Sequence, residues 1–71
     1  MKSTTTPSAI STKIQTLLQI KTENYRAAGD THPDVAARFA VDGILNMYKT
    51  QAMYIEQLLD EEIEDAIKAG K

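Results

Sequence analysis

Ala27-Ala28-Gly29-Asp30-Thr31-His32-Pro33-Asp34 is the stretch on which the fold turns. Gly29 sits where an ending helix needs a left-handed residue, a conformation that glycine adopts without steric cost. Thr31 is placed to cap a new helix, with Asp34 three residues beyond it. Pro33 falls in the first turn, where a missing N–H is no loss. Stop, turn and start signals agree, so two helices meet through a short connection and lie antiparallel.

Backwards from the turn, Ile10, Ile14, Leu17, Leu18, Lys21, Tyr25 and Ala28 recur at spacings of three and four and form one stripe. They predict a helix from Ala9 to about Ala28, capped by Ser8 or Ser11. Its threonines lower helix propensity, so it leans on tertiary contacts. Residues 1–8 have no large apolar side chain after Met1. They are expected to form a flexible N-terminal tail ahead of a single helical-hairpin domain over residues 9–70.

Forwards, a second helix is expected from His32 to about Ala69, ending at Gly70 and running through Gly43, with a split into two shorter helices near that glycine as the alternative. At 1.5 Å per residue it measures roughly 55 Å, against about 30 Å for the first. One stripe reads Val41, Leu45, Tyr48, Ala52, Ile55, Leu59 and Ala66, broadened by Ile44, Leu58 and Ile63. A second group, Val35, Ala36, Phe39, Ala40, Gly43, Met47 and Tyr54, lies round the side, and one partner helix cannot cover both. Residues 53–69 project beyond the first helix yet still carry Ile55, Leu58, Leu59, Ile63 and Ile67. These five are the expected oligomer interface, most simply in a twofold dimer. The expected fold is therefore all-α: an antiparallel hairpin with a short first and a long second helix, self-associating into a helical bundle.

Composition narrows the function classes. A chain of 71 residues makes one small domain, and having no cysteine and one histidine rules out disulfides, thiolate zinc sites and a His-rich metal centre within the chain. Domains this small have little stability in hand, and oligomerisation is the remaining supplement. No apolar run approaches the roughly 18–20 residues that span a bilayer, and residues 1–8 lack the apolar core of a secretory signal. Absent cysteines fit a reducing compartment, so a cytoplasmic location is expected, away from membranes. A formal charge of −2 argues against direct nucleic-acid binding.

That modest charge hides an asymmetry. Residues 1–50 carry a net charge of +2 and residues 51–71 a net charge of −4, with six acids and no base between positions 56 and 65. Such a run is ordinarily a solvated helix face. Read as a docking surface, Glu56, Asp60, Glu61 and Glu64, with Met53 and Tyr54 beside them, suit a larger, basic protein target. Acids near a helix C-terminus oppose its dipole, a cost that such a partner offsets.

The inventory for catalysis is thin. Glu62-x-x-Asp65 resembles half of the acidic motif of the all-α nucleoside triphosphate pyrophosphohydrolases, but the first acidic pair of that motif has no counterpart here. His32 stands beside Asp30 and Asp34 without a serine or cysteine nucleophile placed by any motif. Tyr25, Arg26, His32 and Arg38 lie where they would converge on free N–H groups at the start of the second helix, an anion-site recipe that Asp30 and Asp34 oppose. The expected function is that of a small, non-enzymatic regulatory or inhibitory protein-binding module, working as a homo-oligomeric bundle without metal or cofactor. The alternatives are a binder of a small anionic or nucleotide-like ligand at a protomer interface, and a structural assembly protein.

Overall fold

The computed structural model describes residues 7–70, with side chains at all but positions 7, 8, 51 and 52. The expected flexible tail lies outside the described residues over 1–6, whereas residues 7 and 8 already belong to the first helix. The described chain is all-helical: α1 (Pro7–Ala27), α2 (Pro33–Tyr48), a 3-10 segment (Lys49–Tyr54) and α3 (Ile55–Ala69).

α1 starts on Pro7, a residue suited to a first turn, so Ser8 lies inside the helix instead of capping it. The threonine hydroxyls find partners within the helix: Thr16 donates to the Thr12 carbonyl at 2.9 Å and Thr22 to the Leu18 carbonyl at 2.7 Å. The end of α1 follows the sequence reading. Gly29 has φ +91°, its N–H donates to the Arg26 carbonyl at 3.0 Å, and the Asp30 N–H donates to the Tyr25 carbonyl at 3.0 Å. These two bonds are the Schellman pair that closes a helix on a left-handed residue. The start of α2 differs in one respect. His32, not Thr31, is the N-cap, and it makes no side-chain cap bond. Asp30 turns back instead and its Oδ1 accepts the His32 N–H at 2.9 Å, leaving Pro33 as the first helical residue.

The expected long second helix is the main correction. α2 passes Gly43 without a break but ends at Tyr48, and α3 begins only after six residues of 3-10 helix. α1, at 21 residues, is therefore the longest helix and not the shorter one. At the break the Lys49 N–H donates to the Asn46 carbonyl, and the Thr50 hydroxyl donates to the Met47 carbonyl at 3.4 Å. Both bonds reach back three residues and tighten the chain. A 3-10 run this long is uncommon and its hydrogen bonds are poorer than those of an α-helix. Apolar burial compensates: the reversal puts Leu59 and Ala66 against Leu17 and Val41. One fully buried leucine is worth about 1.5–3 kcal/mol.

α1 is the common partner. It packs along both α2 and α3, which meet each other only sparsely. Lys13 lies beside Glu56 and Asp60, and Asn24 beside Ala66, so α3 runs parallel to α1 and the helices go up, down and up. A single helix can serve two neighbours because its apolar arc is wide. From Leu17, Ile20 lies about 60° to one side and Leu18 about 100° to the other at 3.6 residues per turn, and both pack on the core. At the far end, the Asn24 amide donates to the Ala66 carbonyl at 2.9 Å and satisfies the last turn of α3. Gly70 backs onto that amide so closely that a Cβ would lie 2.5 Å from Asn24 Oδ1. Among the described residues no helix is long and apolar enough to cross a membrane.

Candidate functional site

With the core built, a row of apolar residues on α2 stays in solvent. Val35, Phe39 and Met47 on α2 are 63%, 81% and 60% exposed. They share a line with Gly43 at steps of four residues, on the side of the helix away from the buried Ala37 and Val41. No atom lies within 4 Å of where a Gly43 Cβ would stand. Half-buried Ala36 and Ala40 border the line on one flank, and exposed Arg38, Asp42 and Asn46 border it on the other. Exposed apolar residues in a row, rimmed by polar ones, mark an interaction site more often than scattered single ones do. The sequence pattern already separated this second apolar group from the stripe that builds the core.

Met53 is 83% exposed and Tyr54 is 53% exposed, both at the end of the 3-10 segment. The four acids expected to join them divide into two pairs. Glu56 and Asp60 hold the Lys13 ammonium at 3.1 and 2.9 Å, bridging α3 to α1. The hydrogen bonds that Lys13 donates to Asp60 and then to Glu56 raise its pKa above the ordinary 10.5, against a smaller opposing effect of desolvation. Glu61 and Glu64 are exposed and make no ion pair among the described residues. Lys13 is a site residue that the sequence reading did not find, because 43 and 47 residues separate it from its partners. Between the two helices that follow the turn, the Tyr48 hydroxyl donates to Glu62 at 3.4 Å. Its pKa is raised, first by desolvation and then by the Glu62 charge.

Three of the five residues expected to form the oligomer interface pack into the core that α3 shares with α1. Leu59 is fully buried, Ile55 and Ile63 pack on the same core, Leu58 is half-buried, and Ile67 remains 47% exposed. Nor are the anion-site candidates drawn together by any bond. Tyr25 is half-buried, while Arg26 and Arg38 are exposed and unpaired among the described residues. Arg26 lies half a turn from Leu17, on the outer side of α1. The His32 N–H at the start of α2 is already bonded to the Asp30 carboxylate. An open groove of about 550 Å³ between α2 and the start of α3 is lined by Asp42, Leu45, Asn46, Lys49 and Ile55. Among the described residues no polar or charged side chain is buried, and no three acids or histidines are grouped to hold a metal ion. Compared with known protein families, characterised proteins and solved structures, the chain matches none.

Proposed function

We propose that the protein acts by associating with other protein surfaces, as a small regulatory or inhibitory module in a helical bundle of more than one chain, and not by catalysis. The observation that carries this reading is the outer face of α2. Val35, Phe39 and Met47 stay in water after Leu17, Val41, Leu59 and Ala66 have closed the core. Burying apolar area of this kind is the main driving force of association. In this reading the α2 face is the association surface. Exposed Met53, Tyr54, Glu61 and Glu64 form the surface offered to a basic target.

Two variants test it. Phe39→Asp places a charge at the most exposed point of the α2 face and takes nothing from the core. It is expected to keep its helical circular dichroism and cooperative melt while losing association. Glu61→Lys with Glu64→Lys is expected to keep association and lose a target captured from the native host. If both variants retain self-association and target capture undiminished, the reading is wrong.

A further inference from the structure

The α2 face has a symmetry of its own, and from it we infer that its occupant is a second copy of this chain, paired antiparallel about a twofold axis crossing α2 near Val41. This rests on the association reading above and specifies the partner and its register. In such a pairing each residue faces the one equally far beyond the axis on the other copy. Phe39 then faces Gly43 of the second copy, where nothing stands within 4 Å of the missing Cβ, and Gly43 receives the second Phe39 in return. Val35 faces Met47 of the second copy under the same operation. A ring 81% exposed is matched to a gap, twice, at one axis position.

Charge follows the same symmetry. Arg38 and Asp42 border the face on one flank, and both are exposed. Their midpoint lies within one residue of the axis. The twofold brings this flank against itself with Arg38 and Asp42 of the second copy two residues out of register, about 3 Å along the helix, an offset that the long arginine side chain spans to pair Arg38 with the second Asp42 and Asp42 with the second Arg38. Neither side chain makes an ion pair among the described residues, although the two are four apart on one helix. On the other flank Ala36 and Ala40 present small side chains that allow close helix approach. A parallel twofold pairing meets none of these conditions, because it sets Phe39 on Phe39 and Gly43 on Gly43.

The test is the solution mass of the whole protein across a concentration series, by sedimentation or light scattering, with helicity checked for every variant. Wild type is expected to be a dimer at micromolar concentrations. Arg38→Asp and Asp42→Arg each set like charges together at two symmetric places and are expected to weaken dimerisation by at least about tenfold. The double swap restores opposite charges and is expected to recover affinity to within roughly threefold of wild type. A folded wild-type monomer overturns the inference, as does a double swap no better than either single change. If wild type is a monomer but Phe39→Asp still loses target capture, the second copy is ruled out and the association reading survives. The face then belongs to the target or to residues 1–6. If every variant, Phe39→Asp included, stays dimeric and captures target, both fall.

Discussion

Leu59→Ala distinguishes a chain that closes on itself from one whose second half waits for another copy. Leu59 is fully buried in a cluster with Leu17, Val41 and Ala66. Cutting it back to a methyl group removes transfer energy and leaves a cavity, which together cost about 2–5 kcal/mol in well-packed cores. For a chain of 71 residues total stability is roughly 4–11 kcal/mol, so the loss is a large share. With a urea slope of about 1 kcal/mol/M for so small a domain, the midpoint falls by roughly 2 M or more. Ile67→Ala is the control on the same helix. Ile67 is 47% exposed, so its truncation is expected to cost about 1 kcal/mol or less. Leu17→Ala completes the argument, because it opens the same cluster from α1. The double variant is expected to cost less than the two single costs combined, by about 0.5–3 kcal/mol, since the two truncations share one cavity. Urea melts followed by circular dichroism, at matched protein concentration, supply every number. Leu59→Ala within about 0.5 kcal/mol of Ile67→Ala, or strict additivity with Leu17→Ala, would refute the packing of α3 on α1.

Three further perturbations follow. Gly70→Ala drives a methyl group into the Asn24 amide, which lies 2.5 Å from the new atom, and is expected to destabilise by about 1 kcal/mol. Asn24→Ala removes the obstruction, so a double-mutant cycle should show strong non-additivity; independent costs would mean that the two residues do not meet. Gly29→Ala forces an L-residue to φ +91° and should cost about 1–2 kcal/mol in thermal melts, with no loss if the turn relaxes to another conformation. The Lys13 pKa is raised above 10.5 and that of Tyr48 above 10.0 in the fold. Groups raised in this way stabilise fully below their unfolded values and lose that contribution as pH climbs through the folded ones. The melting temperature is therefore expected to fall above about pH 10, with a shallower fall in Lys13→Met and in Tyr48→Phe. An unchanged alkaline profile in both variants would contradict the two contacts.

What the sequence disclosed depended on how locally each feature is encoded. The turn was legible because Gly29 and Pro33 carry their conformational preferences in their own covalent structure, and the ends of α1 fell within two residues of the expected positions. The break at Lys49–Tyr54 was not legible, since the segment contains neither glycine nor proline. It exists because the reversal buries Leu59 and Ala66, a tertiary gain that overrides local preference. A clue was present in Ile20. Left out of the α1 stripe, it narrows that stripe to one neighbour's width and makes a second chain look necessary. Included, it widens the arc enough for α1 to cover two helices. The acidic residues were readable as charges but not as partners. Nothing near Glu56 or Asp60 in the chain points to Lys13. The outer face of α2 was the most legible candidate, since Val35, Phe39, Gly43 and Met47 fall off the core stripe by spacing alone.

The two polar links between α1 and α3 sit at opposite ends of their contact. Lys13 grips Glu56 and Asp60 near the start of α3, and Asn24 holds the Ala66 carbonyl near its finish. An apolar seam by itself is permissive about sliding, because leucines and isoleucines one turn along offer similar burial. A slip of one turn moves α3 by about 5.4 Å, too far for either link to survive. The pair therefore works as a vernier: the apolar residues supply the attraction, and two small polar marks choose which of several similar alignments is the native one.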